Sequence, residues 1–325
     1  MKRFLALSFL SLLVACDPKS QPAQPQAGRA PLDQAREKIQ AKDYPGAIQV
    51  LEEARRTGGE DPAIVKGLME LYRAQGESAR AIQRGRACLE AHPEANDVRV
   101  AVANLYIESA ATLPTDAARP QLLDPAKALL LDARQRGAGD ALVSLPLGTI
   151  LARCSDVAGA RAEFERALAA GGDERTARYN LALLLVQERE PVLARAQFAQ
   201  LLEKFPDSAP AKREMARLDL EMAIQQAQAK GTFDQAVVKK ALDVLWDLKD
   251  QLKNDWRVQE GLGDGWMLMG DFDAALVSYT EALRLGQNPK SVEDRYRMAK
   301  QKQAEAAEKA GKAPESGTPD ASAPH

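Results

Sequence analysis

Histidine is almost missing from this chain: the 325 residues hold two, His92 in a turn before Pro93 and His325 at the last position. No imidazole-based triad, proton shuttle or metal cluster can be assembled from these. Aromatic residues make up only 5%, and none are interleaved with a basic arm or stripe, which argues against a nucleic-acid partner. Neither sign of charge dominates, with 44 basic and 46 acidic side chains leaving a net charge of −2. Cysteine is limited to Cys16, Cys88 and Cys154. That is too few for a disulfide framework, and the spacing of Cys88 and Cys154 places both as buried thiols. The longest apolar run, Phe4 to Ala15, has 12 residues, whereas a membrane span needs about 20. Gly261, Gly263 and Gly265 follow no strand and sit inside a helical pattern, so they form no nucleotide loop. The carboxylates lie on solvated helix faces without a pair suited to acid and base roles. No catalytic, cofactor-binding or metal-binding residue is therefore nominated.

What the chain does have is one pattern written many times. In Asp255 to Pro289, Leu262, Trp266 and Met269 recur at helical spacing, Gly270 and Asp271 interrupt, and Ala275, Tyr279 and Ala282 resume the pattern. This predicts a helical hairpin, with small Gly263 and Ala275 where the helices approach and bulky Trp266 and Tyr279 beside them. The second-helix alanine returns as Ala47, Ala81, Ala126, Ala160, Ala194, Ala241 and Ala275, and four of the six intervals are 34 residues. The other two are 45 and 47, which places insertions of 11 and 13 residues near 109–122 and 225–240. Leu51, Gly85, Leu130, Phe164, Phe198, Leu245 and Tyr279 follow each alanine in the same phase, giving one apolar stripe repeated seven times. The 109–122 insertion, with Pro114 and Pro120, predicts a loop; the other predicts a lengthened first helix, a turn at Gly231 and a lengthened second helix.

The repeated stretch resembles a tetratricopeptide repeat, the 34-residue helix-turn-helix unit. The resemblance implies an all-α solenoid of seven hairpins over residues 32–288, wound as a right-handed superhelix, with a capping helix over 289–310. Residues 311–325 are rich in Ala, Pro, Ser and Gly and predict a disordered tail. Second helices are expected to start at caps on Ser78, Asp124-Pro125, Ser155 or Asp156, Glu190-Pro191 and Asp271.

At the other end, Lys2 and Arg3 precede the apolar run and Leu13-Val14-Ala15-Cys16 closes it. This order resembles a bacterial lipoprotein signal peptide over 1–15, which implies cleavage before Cys16 and lipidation of its sulfur. An ordinary secretion signal is the alternative, and either one implies export. Residues 16–31, rich in Pro and Gln, read as a flexible tether. Asp17 resembles the inner-membrane retention signal of enteric bacteria, a rule that does not extend to all bacteria, and the outer membrane is favoured.

In the resembled family the first helices line a concave groove. Carried onto this chain, the groove positions include Lys66, Asn104, Leu142, Leu145, Tyr179, Asn180, Leu183, Val186, Arg213 and Arg217, together with Glu70, Arg73, Val100, Ile107, Thr149 and Leu220. An apolar middle with charged ends is the look of a protein-binding surface. Tyr179 is expected to anchor a protein or peptide partner, Asn104 and Asn180 to hold its backbone amides, and Arg213 with Arg217 to take an acidic group. Alternatively Leu142, Leu145 and Leu183 are covered by the 109–122 insertion or by neighbours. The function implied is a non-enzymatic, membrane-tethered scaffold for a secretion, pilus or outer-membrane machine. A cell-wall enzyme, or its regulator, working through groove carboxylates is the other reading.

Overall fold

The computed structural model describes residues 29–112, 120–286, 290–309 and 311. Cys16, the signal peptide and nearly all of the tether lie outside these residues, as does the tail beyond Gly311. Among the described residues the chain is helical throughout, without a strand, and divides into two compact units, one through Ala177 and the other from Arg178 on.

The first unit holds α1 (Arg29–Gln40), α2 (Tyr44–Gly58), α3 (Pro62–Ala74), α4 (Ser78–Ala91), α5 (Asn96–Ala111), α6 (Pro120–Gln135), α7 (Asp140–Arg153) and α8 (Val157–Ala169). Helix α9 (Glu174–Gln187) begins there and carries the chain into the second unit. That unit continues with α10 (Pro191–Lys204), α11 (Ala209–Lys230), α12 (Gln235–Leu248), α13 (Trp256–Met269), α14 (Phe272–Gly286) and α15 (Lys290–Lys309). Consecutive helices pack on one another from α1 through α8 in the first unit and from α10 through α15 in the second. Odd-numbered helices are the first helices of the repeat, even-numbered ones the second.

The repeated alanines make the close contacts that the sequence assigns to them: all seven are at most 3% exposed. So are Leu51, Leu130, Phe164, Phe198, Leu245 and Tyr279, which follow them by one turn. Bulk on one helix is matched by its absence on the other. A Cβ at Gly148 would stand 2.7 Å from the Phe164 ring, and one at Gly263 would stand 2.6 Å from Cδ1 of Tyr279. At Gly85 the order reverses, with the small residue on the second helix and Met69 and Val102 filling the space. No helix among the described residues is long and apolar enough to cross a membrane.

Several boundaries differ from the sequence expectation. Helix α1 takes in Arg29 to Pro31, because a proline in the first turn gives up only an N–H that has no intrahelical acceptor. The 109–122 insertion is not all loop. Helix α5 runs on to Ala111 and α6 begins at Pro120, so Asp124-Pro125 lies inside α6 and caps nothing; residues 113–119 lie outside the described residues. In the other insertion α11 is lengthened to 22 residues and Gly231 closes it at φ 71°, but α12 keeps an ordinary 14. The remaining residues form the turn around Lys249 to Asn254. Asp156 and Asp271 do cap their helices, accepting from Gly159 N at 3.0 Å and Ala274 N at 3.0 Å. Ser78 does not, being already helical, and Glu190 precedes α10 without a side-chain bond, but Pro191 opens that helix at its first position as the sequence expects.

The two described cysteines also part ways. Cys88 is buried, its thiol donating to the Glu60 carbonyl at 3.4 Å, and burial pushes its pKa up to about 11, so it is inert. Cys154 is exposed, since it follows α7 in a turn that no neighbouring helix covers.

Glu163 of α8, 7% exposed, holds the middle of the first unit together electrostatically. Arg134 of α6 donates to its two oxygens at 3.0 and 2.6 Å and to Ser144 Oγ of α7 at 2.9 Å, while Arg166 adds a bond at 2.8 Å. Burial alone would raise the Glu163 pKa, but the Arg134 and Ser144 bonds outweigh it and hold the carboxyl below its ordinary 4.5. A carboxylate whose folded pKa is depressed stabilises the fold above its unfolded pKa and loses that contribution as pH falls. Wild-type stability is therefore expected to decline with acidification below about 4.5, and Glu163→Gln to lower stability at neutral pH while flattening that decline. Urea midpoints across pH check this; an unchanged acid slope in the variant contradicts it.

Candidate functional site

In the first unit the first-helix face is a mosaic. Lys66 Nζ lies 3.8 Å from Asp97 on the next first helix, and Arg73 lies 3.4 Å from Glu108. Between them Glu70 is raised above the ordinary carboxylate range by burial, against the pull of Lys66 and Arg73. Asn104 is exposed, but Val100 and Ile107 are buried at 3% and 7% and present nothing to a partner. Farther along, Leu142 is 42% exposed, and Leu145 and Thr149 are half-buried, with the threonine hydroxyl donating back to the Leu145 carbonyl at 3.0 Å.

In the second unit the same face divides into an apolar part and an ionic part. Leu183 is 37% exposed on α9, flanked in sequence by half-buried Tyr179, Asn180 and Val186. The Tyr179 ring meets Phe198 edge-on at 5.9 Å, and its hydroxyl lies 3.4 Å from Nη2 of Arg213. Burial raises the Tyr179 pKa, so the phenol stays neutral.

Arg213 and Arg217 do not stand ready for a partner's acid, and here the structure corrects the sequence expectation. Arg213 is 5% exposed and pairs with Glu214 and Asp255. Arg217 donates to Glu214 at 3.0 Å and to Glu260 at 2.7 Å. The physical reason is the expense of leaving guanidinium or carboxylate groups uncompensated at a helix interface, which the chain avoids by alternating sign from one first helix to the next. The chain of pairs continues to α15: Glu260, 2% exposed, faces Arg295 at 3.5 Å and Ser291 at 3.4 Å, and Arg295 also pairs with Asp264, which accepts from the Tyr279 hydroxyl at 2.7 Å. Burial raises the Asp264 pKa and Arg295 opposes it. Helix α15 is thus more than a solvating cap: Val292 and Ala299 are buried and Arg295 locks it to α13, while Met298 is 52% exposed.

Glu214, Asp255, Glu260, Asp264 and Arg295 were not singled out from sequence. A signal existed. One interval of 47 beyond Arg213 and Arg217 lie Glu260 and Asp264, at the same repeat positions and of opposite sign. Among the described residues no group of three or more His, Cys, Asp or Glu could hold a metal ion.

The family model described as tetratricopeptide repeat matches residues 32–105 and 145–209. No curated protein matches the chain significantly. Among solved structures, a tetratricopeptide-repeat protein from Parabacteroides merdae is 14% identical, with a TM-score of 0.57 over 85% of this chain and 99% of that one. PilF of Pseudomonas aeruginosa is 19% identical, with a TM-score of 0.55 over 72% of this chain and 96% of that one. A thermophilic tetratricopeptide-repeat protein of Thermus thermophilus is 22% identical, with a TM-score of 0.50 over 58% of this chain and 97% of that one. These likenesses show the fold, a helical repeat solenoid, and the repeat whose family model matches is one whose proteins generally mediate protein–protein interaction.

Proposed function

We propose that this chain is a non-enzymatic scaffold of the bacterial cell envelope, tethered to a membrane through lipid on Cys16, that holds a protein or peptide partner on its first-helix face. The observation that carries the reading is apolar exposure on that face: Leu142 is 42% and Leu183 is 37% exposed, at positions where the repeat family places its ligands. Because Arg213 and Arg217 are taken up internally, the partner is recognised in the second unit through apolar side chains around Leu183, with Asn180 available to backbone amides, rather than through a carboxylate. The tether reading rests on the order of basic end, short apolar run and Cys16 in the sequence. A lipid-anchored, periplasm-facing place follows from it; the outer membrane and a part in assembling a secretion, pilus or outer-membrane machine are further parts of the proposal.

Two variants test the two halves separately. Cys16→Ser is expected to release the mature chain from the membrane fraction or to leave the precursor uncleaved; fractionation identical to wild type ends the tether reading. Leu183→Asp, at a side chain the fold already leaves open, is expected to weaken a partner identified by cross-linking in the native envelope by about tenfold or more. Full retention of that partner by folded Leu183→Asp ends the groove reading.

A further inference from the structure

The insertion in the sixth repeat builds a cleft that the regular repeat would not make. Helix α11 has 22 residues where α9 and α13 have 14 each, and its added turns run beyond Met222. There, in the second unit, the N-terminal ends of α10 and α12 stand on either side of α11 and enclose a cleft of about 490 Å³. Met222 and Ala223 form its floor, with Val192 and Val237 on the two walls. Val192 is 68% exposed, so the α10 wall carries an aliphatic side chain that the chain does not cover.

The rim fixes what chemistry fits. It holds two carboxylates, Asp219 and Asp234, and one guanidinium, Arg195. Arg195 is already consumed by Asp219, Nε to Oδ1 at 2.6 Å, while Asp234 accepts only from the backbone of Ala236 at 2.9 Å and Val237 at 3.4 Å. The rim therefore has a surplus of negative charge beside an apolar floor. No buried, unpartnered polar side chain converges on the cleft as a small-molecule site would need. Its walls are helices, and a helix laid into a groove presents side chains at the three- and four-residue spacing that such walls accept.

We infer that this cleft docks a short amphipathic helix of a partner protein, with aliphatic side chains seated on Val192, Met222 and Val237 and a lysine or arginine directed at Asp234. The site shares α11 with the ionic part of the first-helix face but does not include Leu183 of α9, and it stands whether or not Leu183 binds a partner.

The test uses the full chain and two synthetic amphipathic helices of about four turns. Both carry the same leucine stripe; lysines flank it in one and glutamates in the other. Calorimetry is expected to show the lysine peptide binding at least about tenfold tighter, with hydrogen-exchange protection of the start of α10 and the second half of α11. Val192→Lys, at a side chain too exposed to matter for folding, is expected to weaken that binding by about tenfold, and Leu183→Asp to leave it unchanged. Equal binding of the two peptides, no binding of either, protection confined to other helices, or indifference to Val192→Lys would each overturn the assignment.

Discussion

Tyr279→Ala is expected to lower the stability of the second unit by about 3–5 kcal/mol. The ring is 1% exposed and seated on Gly263, at the junction of α13, α14 and the buried residues of α15. Deleting it leaves a cavity that rigid helices cannot close, and it strips the 2.7 Å donor from the buried Asp264. Tyr279→Phe isolates the second loss and is expected to cost about 1–3 kcal/mol. The opposite error, Gly263→Ala, drives a Cβ into the same ring and is expected to destabilise by about 1–3 kcal/mol, less the gain in helix propensity. Because the two sites touch, Gly263→Ala with Tyr279→Ala should cost measurably less than the sum of the singles. Urea unfolding followed through the nearby Trp256 and Trp266 reads all four. Strict additivity would mean that the two helices do not meet through this pair.

Arg213→Ala is the second large effect, at about 3–5 kcal/mol. The guanidinium is 5% exposed and is shared by Glu214, Asp255 and the Tyr179 hydroxyl, so its removal takes the buried charge partner from two carboxylates at the junction of α11 and α13, leaving Glu214 to Arg217 at 3.0 Å and Asp255 to Arg257 at 3.9 Å. Arg213→Glu adds a third negative charge and is expected to be worse. Read as a surface residue, Arg213 would alter only the salt dependence of partner association; read from the structure, it is a structural residue whose loss destabilises the unit. Hydrogen exchange in α11 and α13 checks this, and amide protection unchanged from wild type in Arg213→Ala contradicts it.

The difference between those two readings shows what the sequence carries. Close helix contacts demand small residues at fixed spacing, so Ala47, Ala160 and Ala275 announce themselves, and the seven hairpins are legible from composition and phase alone. Helix ends at the insertions are less so, because extending α5 to Ala111 or starting α6 at Pro120 costs only propensity and breaks no periodic rule. Ion-pair partners are less legible still. Arg217 meets Glu260 across 43 residues, an interval that belongs to the lengthened repeat rather than to the regular 34, and which charged residue of the next helix turns inward depends on side-chain reach. Cys154 was misplaced for a related reason: it sits at the right distance from the core in sequence, but past the last helical turn, where no neighbour covers it.

The proposed function requires a partner on the first-helix face. The most direct measurement is photo-cross-linking in the native envelope with a photoreactive amino acid placed singly at Leu142, Leu183 and, as a second-helix control, Val277, which is 72% exposed. Adducts with a protein at 142, at 183 or at both, and none at 277, are the result expected. Adducts at 277 with 142 and 183 silent would contradict the claim and move the binding surface to the second helices.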